Sequence, residues 1–207
     1  MRKYFCYETS SEEAGAEDAC WDKAEIQQID QYPWKNSQRP YVPVTQVRLL
    51  HNDIALFVRF DIWEENIRAT YTQPNDPVCR DSCVEFFFCP DEADARYLSF
   101  EINPLGALLI GLGRSGNDIR YLTDSRELFQ IQTVRKENFW QAAFTIPFAF
   151  IKKYFNNISH TMRGNFMKCA DRSITPHHGC WNLIPTDIPM FHVPQFFGEI
   201  VLERPGE

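Results

Sequence analysis

The feature that most constrains this chain is an alternation of polarity with a period of two. In IALFVRFDIW, Leu56, Val58, Phe60 and Ile62 fall on one side, and Phe57, Arg59 and Asp61 on the other. DSCVEFFFC divides Val84, Phe86 and Phe88 from Glu85 and Phe87. YLSFEIN divides Leu98, Phe100 and Ile102 from Tyr97, Ser99, Glu101 and Asn103, and FWQAAFTIP repeats the pattern with Trp140, Ala142, Phe144 and Ile146. Successive side chains of a strand point to opposite faces, so each segment reads as a strand with one face on a core and one face free.

Turn-forming stretches such as CPDEADA, NPLG and GRSGND separate these segments at short intervals. The pattern predicts an all-β fold, an antiparallel, jelly-roll-like β-sandwich. Helix is scarce: FAFIKKYFNN after Pro147 predicts at most one short helix, with the proline near its first position. The 207 residues, with 44% hydrophobic and 17 Phe, suffice for a full core. The reading is a single domain over 1–207, in which 1–40, rich in charge and containing Pro33 and Pro40, wraps the sandwich as irregular chain with one or two short strands.

A net charge of −7 argues against a nucleic-acid partner, which needs clustered Lys and Arg, and against an anionic membrane surface. No apolar run reaches the roughly 18 residues of a spanning helix, so no membrane insertion is expected. The first twenty residues carry basic groups but no apolar stretch after them. The expectation is a cytoplasmic location if Met1 is the natural start, and a secreted or cell-surface one otherwise. The seven cysteines, an odd number, read as reduced thiols used as small apolar residues.

The order of motifs resembles the family 9 carbohydrate-binding modules. The matching pieces are Asp18 to Trp21, VTQVRLLHNDIALFVRFDI, DSCVEFFFCP, FEIN before a glycine-containing strand, an FxIPF segment after Trp140, GNFMKCAD, Cys180-Trp181 and FHVPQFFGEIVLE. They span nearly the whole chain. The resemblance implies a non-catalytic β-sandwich that holds the ends of β-linked glucan or xylan chains between two tryptophans, with structural calcium common. Carried over by position, the motif carboxylate is Glu85 and the preceding Asp is Asp81. One clamp tryptophan falls on Phe191, the other on Val78, and a hydroxyl-binding arginine falls on Glu101.

Sugar recognition needs an aromatic face for the C–H patch of a pyranose and planar polar groups for its hydroxyls. The candidates are Phe191, His192 and Trp181 with Glu85, Glu101, Asn103 and Arg59. In this reading Phe191 stacks, Glu85 and Asn103 bond hydroxyls, Trp181 walls the site and His192 closes its side. A hairpin centred near residue 93 would set Glu85 and Glu101 almost opposite one another on the free face. Like charges so placed need compensation from Arg59, Lys168, a calcium ion or an array of hydroxyls.

The same pair could instead serve as the acid and base of a glycoside hydrolase. Cys79, Cys83, Cys169, His177, His178 and Cys180 offer soft metal ligands, but without zinc-finger spacing, and thiols packed in a Phe-rich core are the plainer reading. His177 and His178 read as a loop that borders a sugar site or lies on the surface. Met190 with His192 is a remoter haem-ligand pair, with a Met packed inward as the ordinary explanation.

Overall fold

The computed structural model describes residues 1–10, 15, 19–34 and 41–203. Asp18 and Pro40, singled out in the sequence, lie outside them. The strands are β1 Lys3–Glu8, β2 Gln27–Gln28, β3 Val44–His51, β4 Ala55–Trp63, β5 Cys83–Cys89, β6 Tyr97–Ile102 and β7 Leu108–Gly113. They continue as β8 Arg120–Tyr121, β9 Gln132–Lys136, β10 Phe139–Pro147, β11 Thr161–Cys169, β12 His178–Cys180 and β13 Gly198–Glu203. The one α-helix among the described residues, α1 Phe148–Ile151, starts directly after Pro147.

The strands join in the order β8-β7-β6-β5-β11-β13-β1-β3-β4-β10-β9. This sheet curls so that its two halves face each other across one core. Phe100 of β6 lies 6.0 Å from Phe144 of β10, and Phe166 of β11 lies 6.2 Å from Phe60 of β4, ring centre to ring centre. Every residue that the alternation assigned to the inner face of β4, β5, β6 and β10 belongs to this core. At about 1.5–3 kcal/mol per fully buried Phe or Leu, that shared face is the main source of stability.

Two expectations change. The sandwich is not wholly antiparallel: β1 is inserted between β13 and β3 and runs parallel to both. The N-terminal stretch therefore supplies a strand at the bend of the sheet, where Tyr4 and Cys6 enter the core. Second, the outer face of β5, β6 and β7 is not free, since all three strands are buried along their full length. Residues 184–197 fold back over it and pack Ile184, Val193 and Phe197 on Phe87, Cys89, Tyr97 and Met167. Among the described residues no helix is long and apolar enough to cross a membrane.

Candidate functional site

The chain that covers the outer face of β5–β7 leaves a groove of about 550 Å³, within the range of small-ligand sites. Glu85 and Glu101 lie at its floor, Phe191 and His192 in its rim, and residues 114–117 line it beside His192. Cys79, Cys169, Asp171, His178 and Gln195 are also among its lining residues. The 114–118 turn owes its shape to Asp118, whose Oδ1 accepts the backbone N–H groups of Arg114 and Ser115, each at 2.8 Å.

Antiparallel pairing of β5 with β6 sets Glu85 directly opposite Glu101, as a hairpin centred near residue 93 requires. The two are only 3% and 6% exposed. Among the described residues neither forms an ion pair, and the one hydrogen bond of the pair joins Glu85 Oε1 to the Cys169 thiol at 3.0 Å. Burial pushes the Glu85 carboxyl well up; burial and then the Glu85 charge push Glu101 up too. Such a pair holds protons that exposed carboxyls would lose, and so offers both donors and acceptors.

His192 packs on Phe87 with ring centres 4.8 Å apart, and its Nδ1 lies 2.8 Å from the Tyr97 hydroxyl. Burial lowers its pKa to about 4, leaving a neutral ring. Burial also holds the Tyr97 phenol protonated, so the hydroxyl donates, Nδ1 accepts and the imidazole proton sits on Nε2. Phe191 is half-buried and backed by Trp34, 5.7 Å away at 55°, whose indole N–H is anchored on Thr186 O at 2.7 Å.

Four of the seven predicted residues, Glu85, Glu101, Phe191 and His192, thus meet in one groove. Three do not. Trp181 is completely buried in the main core, edge-on to Phe166, with its N–H on Gln27; Gly198 leaves no room for a Cβ beside its ring. It cannot wall the groove. Asn103 is spent on the β6–β7 turn: its Oδ1 accepts Leu105 N and Ala107 N, and its Nδ2 donates to Tyr71 O and Asp81. That turn closes through Gly106 at φ 71°, a conformation that suits glycine. Arg59 lies in the other half of the sheet, bound to Asp61 two residues along β4, so it cannot compensate Glu85 and Glu101.

Lys168 does not compensate them directly either. It faces the core side of β11, where its Nζ donates to Glu64 Oε1 (3.2 Å), Cys169 O (2.8 Å) and His177 Nε2 (2.9 Å). Glu64 also accepts Ser82 Oγ and Trp140 Nε1. Burial, then the nearby Lys168 charge, lowers His177 to about 3. The two adjacent histidines therefore part company: His177 belongs to this internal network and His178 lines the groove.

Asp81 fastens the 66–82 chain to the sheet by accepting Thr70 N, Tyr71 N and Asn103 Nδ2, which outweighs burial and holds its carboxyl below the usual range. Val78, at one of the two clamp positions, is wholly buried against Cys83, Ala107, Leu109 and Cys169. Among the described residues the groove has one aromatic wall, that of Phe191. Met190 and His192 both line it, but two residues apart on one chain they span at most about 7 Å, too little to ligate opposite faces of a haem. A second groove, of about 540 Å³ near Asp53, Lys152 and His160, contains none of the seven residues.

Fold and groove together define a β-sandwich binding protein, and the comparisons say which. The model of carbohydrate-binding family 9 matches residues 17–202, and the chain belongs to that family. A Bacteroides uniformis ATCC 8492 protein, assigned as carbohydrate-binding, is 31% identical with a TM-score of 0.83, over 98% of this chain and 99% of that one. A family 9 module from Caldicellulosiruptor kristjanssonii in complex with cellotriose is 13% identical with a TM-score of 0.70, over 98% and 94% of the chains. The module from the same organism in complex with glucose is 13% identical with a TM-score of 0.68, over 100% and 98%. At 13% identity these two share the fold alone. A search of curated proteins gave no match.

Proposed function

We propose that the groove binds the end of an oligosaccharide of the β-glucan or xylan type, without catalysis. One observation carries this reading: two buried, directly opposed carboxyl groups form the floor of an open groove whose rim holds Phe191 and His192. A ring laid on Phe191 presents its hydroxyls to Glu85 and Glu101, which donate or accept as protonation allows. His192 offers its Nε2–H from the side, and Arg114, the one lysine or arginine lining the groove among the described residues, can fork onto a vicinal diol. Family membership supports sugar as the ligand class; the cellotriose and glucose in the related modules support the glucan type.

Acid and base catalysis by the same pair requires one carboxylate held ionised. Burial opposes ionisation of both, and neither has a cation in contact. Calorimetric titration against cello- and xylo-oligosaccharides and common monosaccharides tests the proposal. Heat with at least one series, with no aglycone released from aryl glycosides, is expected. No heat with any of them, or release of aglycone, overturns it.

A further inference from the structure

The groove floor also holds an arrangement that shares Glu85 with the sugar site and that sugar recognition does not account for. Cys83 and Cys169 are paired directly across β5 and β11, and Glu85, two residues along β5 from Cys83, projects from the same face. One ligand atom of each lies within 4.8 Å of the others. All three are buried, the two thiols within 1% of complete burial. Glu101 stands opposite Glu85, also more than nine-tenths buried, turned to the same floor and without a side-chain hydrogen bond among the described residues. Each of these groups becomes negative on losing its proton, and among the described residues none of the four side chains forms an ion pair: the neighbouring Lys168 is held on the core side by Glu64, and Arg114 lines the groove without pairing with either carboxyl.

We propose that Cys83, Cys169 and Glu85 bind one thiophilic divalent cation of the Zn²⁺ class, leaving a fourth position open to the groove. Two thiolates and a carboxylate suit Zn²⁺, with Zn–S about 2.3 Å and Zn–O about 2.0–2.2 Å. Tetrahedral geometry at those lengths separates sulfur from oxygen by about 3.5 Å, so the 3.0 Å contact of Cys169 with Glu85 opens by about half an ångström. The ion takes the place of the protons these groups hold, so the binding step is M²⁺ in and the ligand protons out. Glu85 and Cys169 line the groove while Cys83 does not, which places the open position on the groove side. Calcium, which the family resemblance suggests, takes six to eight oxygen ligands, and a set containing two thiols does not fit it.

The proposal stands whether or not a sugar occupies the groove. It is tested by titrating the purified, reduced chain with Co²⁺. The expected result is a thiolate-to-metal charge-transfer absorption that saturates at one ion per chain, is displaced by Zn²⁺ and is accompanied by proton release. Cys83→Ser with Cys169→Ser abolishes the band, and Glu85→Gln keeps it while weakening binding about 10–100-fold. Cys20→Ser, which packs in a separate cluster, leaves it unchanged. If the double serine variant does not fold, Glu85→Gln decides, because its circular dichroism and melting show whether the fold survives. No charge-transfer band, an unaltered affinity in folded Glu85→Gln, or a Cys83–Cys169 disulfide in protein purified with its native redox state preserved would each overturn the proposal.

Discussion

The hydroxyl of Tyr97, on the strand that carries Glu101, meets Nδ1 of His192 at 2.8 Å. This contact ties the covering chain to the groove floor and fixes which imidazole nitrogen faces a ligand. Tyr97→Phe leaves the ring packing against Phe87 and Phe197 but removes the donor. Sugar affinity is expected to fall about 3–10-fold, corresponding to one hydrogen bond of about 0.5–1.5 kcal/mol, as read by calorimetry. Because burial lowers His192 to about 4, affinity in a His178→Ala variant, which removes the other histidine lining the groove, shows no step at the usual histidine pH of about 6.5; such a step would contradict the assignment.

The aromatic wall makes the second prediction. Phe191→Ala removes about 1.5–3 kcal/mol of apolar contact, so affinity for the best oligosaccharide is expected to drop about 10–100-fold. Trp34→Ala, which removes only the backing of Phe191, is expected to give a smaller loss in the same titration. Equal affinity in wild type and Phe191→Ala would exclude this wall from the site.

The opposed carboxyls make the stability of the protein fall with rising pH. The folded pKa of Glu85 is raised to about 8 and that of Glu101 is raised as well, so the folded state binds more protons than the unfolded chain above pH 4.5. Their contribution is complete below the unfolded value and is lost as pH rises through the folded one. Between pH 6.5 and 8, above the range where the lowered His177 and His192 contribute, each carboxyl removes up to about 1.4 kcal/mol per pH unit. Glu101→Gln, measured by urea unfolding with EDTA present, is expected to flatten this slope and to raise stability at pH 8. A slope identical to wild type would contradict the buried, cation-free description of the pair.

The internal network predicts a large effect far from any ligand. Lys168→Met leaves Glu64 buried with Ser82 and Trp140 as donors and His177 Nε2 3.5 Å away, and the expected cost is about 3–5 kcal/mol. Urea or guanidinium unfolding measures it. A cost below 1 kcal/mol would contradict a buried Glu64 held by Lys168.

Most of the sandwich was legible in the sequence because a two-residue period leaves no freedom: once Phe86 faces the core, Glu85 cannot. The same parity, with the seven residues between Cys89 and Tyr97, fixed the opposition of Glu85 and Glu101. Arg59 was misassigned although Asp61, two residues on and therefore on the same face, was a visible partner. Asn103 carried the signal of a turn residue before Pro104, which competes with any ligand role.

The burial of the outer face was not legible, because the segment that covers it reaches Phe87 and Tyr97 through Ile184, Val193 and Phe197, whose spacing follows no period. Nor could a parallel β1 be foreseen, since no hairpin joins it to a neighbour. The GRSGND turn read only as a separator, yet it forms a wall of the groove, and no local signal marks Cys79, Asp171 or Gln195 as its neighbours.

A crystal structure with the tightest-binding oligosaccharide distinguishes this groove from any other seat for the sugar. A terminal ring is expected against Phe191 with its hydroxyls within hydrogen-bonding distance of Glu85 and Glu101. A sugar seated instead in the groove near Lys152 and His160, or on the exposed Trp63 beside Phe139, would contradict it.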